Sequence, residues 1–305
     1  MKFFKMPGTD LEASRIGLGC MRISDMNAAE VETLINVSME EGVNFFDHAD
    51  IYGGGKCEEL FGEVFSANKN LRDKMIIQSK CGITNGTYNF SKEHILSSVD
   101  GILQRLKIDT LDILLLHRPD ALMEPEEVAE AFNEIEKAGK VKYFGVSNQN
   151  PMQIELLKKY VKQPLIVNQL QYSITSCGMV ASGMNVNVGG EDAVNRDGSV
   201  LDYCRLNDIT IQAWSPFQYG FFTGTFLDNP DFPELNAVID DLAKKYDVTN
   251  SAIAIAWILR HPMNMQPIIG TVNLERIKAS CKATDFDLTR EEWYAIYKAA
   301  GKRLP

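Results

Sequence analysis

Short uninterrupted apolar runs alternate with longer stretches of helical spacing from residue 15 onward. Leu111–Leu116 (LDILLL) is the plainest run, and one so continuous reads as a strand buried on both faces, as in parallel sheets. Val43–Phe46, Met75–Gln78, Val141–Val146, Leu165–Val167, Ile209–Ala213 and Pro267–Ile269 read the same way, and Arg15–Gly19 supplies a short first strand. Between them the pattern predicts helices over Asn27–Glu41, Glu58–Asn68, Ser91–Lys107, Pro125–Ala138, Pro151–Tyr160 and Leu201–Asn207. Ser91 caps one of these, Pro151 opens another, and Gly42 and Gly139 stop two more. Glu234–Tyr246 and Ser251–Leu259 precede the last strand; Leu274–Ala279 and Arg290–Ala300 close the chain. Residues 2–15 alternate weakly about Pro7-Gly8 and predict a small hairpin, a candidate lid.

Eight strand–helix units in 305 residues point to an α/β fold, a (β/α)8 TIM barrel. It carries an N-terminal β-hairpin, long loops at its C-terminal face and a C-terminal helix, and residues 1–305 form one domain. A doubly wound sheet is the runner-up, but GLGCMR after the first strand lacks the spacing of a dinucleotide fingerprint. Two segments exceed the minimal repeat. Residues 174–199 are rich in Gly, Asn and Ser, and residues 215–233 are aromatic and broken by Pro and Gly. Both follow strands on the side where a barrel builds its site, the first as a long loop and the second as a cover for a flat ligand.

A net charge of −10 argues against nucleic-acid or anionic-membrane partners, while leaving room for a local cationic pocket. The six cysteines show neither CxxC pairing nor zinc-ligand spacing, so reduced thiols and no metal are expected. Without an apolar leader or spanning run, the expectation is a cytoplasmic protein, a monomer or weak homo-oligomer.

Residues at the strand ends share one mouth in a barrel. In order they are Asp47 and Tyr52, Lys80, His117, Ser147 and Asn148, Asn168 and Gln169, Trp214 and Ser215, then Gly270 and Thr271. Four of them make chemical sense together. A lysine ammonium favours the phenolate and lowers a tyrosine's pKa, and Asp47 holds Lys80 charged. His117 is placed to bond the phenol or a substrate carbonyl from the other side. The expected product is a tuned proton donor beside an oxyanion site, which carbonyl reduction needs. Taken singly, Lys80 reads as a surface charge, His117 as a structural group and Asp47 as a turn cap; it is the register of all four that favours chemistry.

GVNFFDHADIYG, IIQSK, LDILLLHRPD, KVKYFGVSN, VNQLQYS, ITIQAWSPF and PIIGTVNLERI resemble, in order, the signature blocks of the aldo-keto reductase family. The likeness runs from about residue 15 to about residue 290 and looks closest to the bacterial YdhF-like oxidoreductase subgroup. It implies a barrel that binds a nicotinamide cofactor without a Rossmann domain. It also implies Tyr52 as proton donor, Lys80 and Asp47 as its tuning pair, and His117 as the group that orients the carbonyl. Ser147, Asn148 and Gln169 match positions that hold the carboxamide, and Trp214 matches the residue that stacks on the nicotinamide. Ser215 and Phe217 fall on the pyrophosphate strap. Thr271 and Arg276 match the pair at the adenosine 2′-phosphate, favouring NADP(H). Gly270 stands where many members carry lysine, which leaves NAD possible. Met21, Asp47 and Gly270 also count among the expected cofactor contacts, and Met21 and the Ile51 region, with residues 174–199 and 217–230, are expected to shape an apolar, permissive pocket for a small carbonyl substrate. Two other readings stay open: a cofactor-binding redox sensor or regulatory subunit, and a Schiff-base lyase using Lys80.

Overall fold

The computed structural model describes residues 1–68, 70–187, 189–263 and 265–302. Among the described residues there are ten strands: β1 (Phe3–Lys5), β2 (Glu12–Ser14), β3 (Gly17–Gly19), β4 (Phe45–Asp47), β5 (Ile76–Cys81), β6 (Leu111–Leu116), β7 (Val141–Ser147), β8 (Leu165–Gln171), β9 (Thr210–Trp214) and β10 (Gln266–Ile269). β3 to β10 pair in parallel, each with the next, and β10 returns to β3 to close an eight-stranded barrel. Helices α1 (Ala28–Glu40), α2 (Lys56–Ala67), α3 (Lys92–Leu106), α4 (Pro125–Lys137) and α5 (Pro151–Lys158) alternate with the strands. After β8 come α6 (Gly178–Met184) and α7 (Val200–Leu206), after β9 α8 (Pro233–Tyr246) and α9 (Asn250–Leu259), and after β10 α10 (Leu274–Cys281) and α11 (Arg290–Ala299).

The period of two in each strand divides the apolar core into two layers. Phe45, Ile76, Ile113, Leu115 and Ile268 fill the barrel interior. Their chain neighbours Phe46, Ile77, Leu114, Leu116 and Ile269 join the larger layer between barrel and helices. Among the described residues, no helix is long and apolar enough to cross a membrane.

Three expectations are revised. The β1–β2 hairpin forms, with Phe3 opposite Ser14, but it does not cover the mouth. Met6 and Ala13 pack against Ile76, Ile113 and Ile268, and the Asn44 side chain holds the Ser14 N–H, so the hairpin plugs the N-terminal end of the barrel. The segment 174–199 is not a plain loop: it folds into α6 and a 3-10 turn at Glu191–Ala193, with Met179, Val180 and Ala181 buried. Seven residues, two of them glycine, are too few to show a helical period. Val188, inside that segment, lies outside the described residues, as do residues 303–305 of the 1–305 span. Finally, several strands run further than their apolar stretch. Asp47, Lys80, Ser147, Asn168, Gln169 and Trp214 all lie within strands: Asp47, Lys80 and Gln169 find polar partners inside the barrel, and Asn168 finds its own on the outer side, at the Gln149 carbonyl.

Candidate active site

Tyr52 reaches the mouth through a turn that only glycine makes easily. Gly53, Gly54 and Gly55 all have positive φ (58, 66 and 96°), which folds the chain tightly between β4 and α2. The Lys80 side chain is wholly buried in the barrel below it. Its Nζ donates to Asp47 Oδ2 at 2.8 Å, to the His48 carbonyl at 2.7 Å and to Tyr52 Oη at 3.1 Å. Three protons thus meet three acceptors. The His117 ring stands edge-on to Tyr52 with centroids 6.1 Å apart; no hydrogen bond joins them, and His117 Nδ1 is buried without a partner among the described residues.

Electrostatics correct one expectation here. Lys80 does pull the Tyr52 phenol towards ionisation, but burial pushes harder the other way, and the net shift is upward. Tyr52 therefore keeps its proton at neutral pH. Burial also works against the charge on Lys80, yet Asp47 and Tyr52 outweigh it and its affinity for the proton rises. His117 is held well below the usual histidine range by burial and by the charges of Lys80 and Arg118, so its ring is neutral. His48 behaves similarly: sealed edge-on against Phe61, it is pushed to about 3 by burial and by Lys80.

Asp47 anchors a second system that strand-end reasoning missed. Its Oδ1 accepts from Gln78 Nε2 at 2.7 Å and from Gln169 Nε2 at 3.2 Å. Both amides also donate to Gln212 Oε1, at 2.8 and 3.0 Å. Gln212 donates to Gln266 Oε1 at 3.0 Å, and Gln266 to the Ser14 carbonyl at 2.7 Å. A chain of buried amides thus crosses the barrel interior from Asp47 to the hairpin. The available signal was a glutamine at an inward position of an otherwise apolar strand, as in IIQSK and ITIQAW.

Beside this centre, Ser147, Asn148 and Trp214 form one cluster. Asn148, at φ 59°, donates to Ser147 Oγ at 2.7 Å and accepts from Trp214 Nε1 at 3.2 Å; Ser147 Oγ donates to the Gln169 carbonyl at 2.9 Å. The indole edge is thereby fixed while its ring stays half-exposed. Gln169 directs its amide N–H groups inward to Asp47 and Gln212, and Asn168 is turned away to hold the Gln149 carbonyl. Ser215 turns the β9–α8 loop at φ 52°, and the Phe217 carbonyl accepts from the Phe226 N–H within it. Met21 and Ile51 are exposed beyond β3 and β4, as are Phe221 and Phe222 of the β9–α8 loop. Gly270, Thr271 and Arg276 lie apart from this network, around the start of α10. There Asn273 caps the helix through the Arg276 N–H, and the Arg276 side chain is exposed.

These groups suit a nicotinamide cofactor. A half-exposed indole with a fixed edge offers a flat face, a serine and an asparagine stand beside it, and a helix N-terminus with an exposed arginine suits a phosphate.

Comparison with known proteins bears on the family of the chain. The model of the aldo/keto reductase family matches residues 15–300. The chain is 35% identical over 303 residues to the oxidoreductase YdhF of Escherichia coli, covering 95% of this chain and 94% of that one. It is 34% identical over 304 residues to YcsN, an uncharacterised oxidoreductase of Bacillus subtilis, covering 95% of each. A 6-dehydroglucose reductase of Agrobacterium fabrum is 33% identical, with 96% of this chain and 97% of that one covered. Among solved structures, the thermostable aldo-keto reductase Tm1743 in complex with the inhibitor epalrestat superposes with a TM-score of 0.79 at 26% identity, covering 98% of this chain and 100% of that one.

Proposed function

The chain belongs to the aldo/keto reductase family, and from that premise we propose that it reduces aldehyde and ketone carbonyls to alcohols with NADPH, Tyr52 giving the proton. The observation that carries this reading is Lys80 Nζ between Asp47 Oδ2 at 2.8 Å and Tyr52 Oη at 3.1 Å in a buried setting.

The cofactor, when bound, supplies hydride to the carbonyl carbon. The chain's own residues handle the oxygen. His117, neutral, orients that oxygen by hydrogen bonding without giving up its own proton. Tyr52 keeps its proton until negative charge grows on the substrate oxygen, then transfers it there. The fixed ammonium of Lys80 steadies the phenolate left behind, and Asp47 with its two amide donors keeps Lys80 in place. Ser147, Asn148 and Trp214 would hold the nicotinamide, with Ser215 and Phe217 over the pyrophosphate. Thr271 and Arg276 would take the 2′-phosphate.

A Schiff-base lyase is disfavoured, because an ammonium with all three N–H groups engaged is a poor amine nucleophile. The test is Tyr52→Phe. It should keep NADPH affinity and lose about 10²–10⁴-fold in aldehyde turnover, the usual worth of a positioned proton donor. A variant as fast as the parent would sink the assignment, and a parent that binds NADPH but reduces no carbonyl would favour the sensor reading.

A further inference from the structure

Arg118 follows His117 at the mouth and takes no part in the chemistry just described. It is half-buried, and among the described residues it has neither a hydrogen bond nor an ion pair. Its guanidinium instead lies 5.3 Å from the Trp214 ring centroid and 5.6 Å from that of Phe221. The nearest acid in sequence, Asp120, is committed elsewhere: Oδ2 accepts from the Phe90 N–H and Oδ1 from the Leu122 N–H, both at 2.9 Å. Asp47 is answered by Lys80, Gln78 and Gln169. Arg118 therefore stands beside His117 without an acidic partner among the described residues, inside a chain of net charge −10.

That charge is close enough to the reaction centre to be felt there. Burial comes first in lowering the proton affinities of both His117 and Arg118. Arg118 adds to the effect on His117, while Tyr52 and Tyr88 act on Arg118 in the opposite sense. A guanidinium tolerates partial desolvation when stacked on aromatic faces, and its planar fork then stays free to clamp a carboxylate through two hydrogen bonds. Phe221 beneath it and Phe222 against that ring, 4.7 Å between centroids, are exposed and apolar. A single fork in an apolar wall selects for a molecule with one anionic group and one uncharged reactive end.

We propose that Arg118 is a specificity-determining residue, and that the preferred substrates are carbonyl compounds bearing a carboxylate or comparable oxyanion. This rests on the carbonyl-reducing reading above. The carboxylate is not altered: the carbonyl carbon gains hydride from NADPH, its oxygen gains one proton, and NADP⁺ leaves. The same fork would also suit a cofactor phosphate; its place next to His117, the group that orients the carbonyl, puts it on the substrate side.

The experiment compares 4-carboxybenzaldehyde with 4-methylbenzaldehyde in the parent and in Arg118→Met and Arg118→Lys, with NADPH affinity measured separately. The parent should prefer the charged aldehyde by about tenfold or more in kcat/KM, as expected where a site is built to pair a polar group. Arg118→Met should bring that ratio close to one, mainly through KM. Arg118→Lys should fall between, keeping charge without the fork. A parent without the preference, a ratio unchanged in Arg118→Met, or an effect on NADPH affinity alone overturns the proposal. If the parent reduces neither aldehyde, the functional reading fails. Benzoate titrated against tryptophan emission then judges Arg118 alone: saturable binding lost in Arg118→Met supports it, and binding that is absent or unchanged overturns it.

Discussion

Gln78 Nε2 lies 2.7 Å from Asp47 Oδ1, a hydrogen bond between adjacent strands at the centre of the barrel. Asp47 is thus held from one side by the ammonium it orients and from the other by an amide that leads down to the hairpin. Replacing Gln78 with leucine leaves Asp47 Oδ1 and Gln212 Oε1 each one donor short in a buried setting. The expected loss is about 1–3 kcal/mol of stability, with kcat down about tenfold and NADPH affinity kept. Urea unfolding and steady-state kinetics check both; an unchanged kcat would show that Asp47 needs no help from the amide chain.

Beneath the tyrosine loop, Asp50 is pushed up to about 7, by burial and then by the charge of Glu58, against a smaller opposing pull from Arg105. Glu58 is itself fixed by Ser79 Oγ at 2.6 Å and Arg105 at 2.8 Å. The folded-state pKa of Asp50 exceeds its unfolded value of 3.8, so its contribution to stability is fully present below that value and is lost as pH rises to about 7. Asp50→Asn removes this loss. Between pH 5 and pH 8 the variant's Tm should change more favourably than the parent's, by about 2 °C or more. Parallel pH profiles of Tm would show that Asp50 does not titrate there.

Arg276, exposed at the first turn of α10, has no carboxylate partner among the described residues. If it takes the 2′-phosphate, Arg276→Ala should raise KM for NADPH about tenfold, the worth of one charge-assisted bond, and leave KM for NADH almost unchanged. Equal effects on both cofactors would remove the residue from that role.

A β-carbon added at Gly62 in α2 would stand 2.1 Å from the Arg105 carbonyl oxygen and 2.8 Å from the Leu106 carbonyl carbon. Both obstacles are backbone, so the helices must separate. Gly62→Ala should lose at least about 2 kcal/mol. It should also loosen the Arg105–Glu58 contact below the site, read as a lower urea midpoint. A midpoint within error of the parent's would mean that α2 and α3 part freely.

How much of this was legible in the sequence depends on whether the signal is local. The LDILLL strand and the capped helix after Ser91 were, because burial on both faces and a capping serine are written in neighbouring residues. The order of strands followed from their alternation with helices. The amide chain was not, since Gln78 and Gln212 meet across 134 residues of sequence and only closure of the barrel turns both inward. The reach of β5 to Lys80 was hidden for the same reason: a polar side chain ends an apolar run on paper but not in a barrel where Asp47 awaits it. α6 is too short to declare a period, and Arg118 looks like any surface arginine until Asp120 is seen to face the other way.

The tryptophans divide the molecule's optical behaviour. Trp257 and Trp293 lie face to face, 4.8 Å apart at 6°, each indole N–H donating to the other's backbone carbonyl at 3.1 and 3.0 Å. That locked, water-excluded pair joins α9 to α11 and reports in the ultraviolet on whether the scaffold is intact. Trp214, the remaining one of the three, is half-exposed beside the mouth. Occupancy of the mouth and integrity of the fold can thus be followed as separate colours in one unlabelled sample.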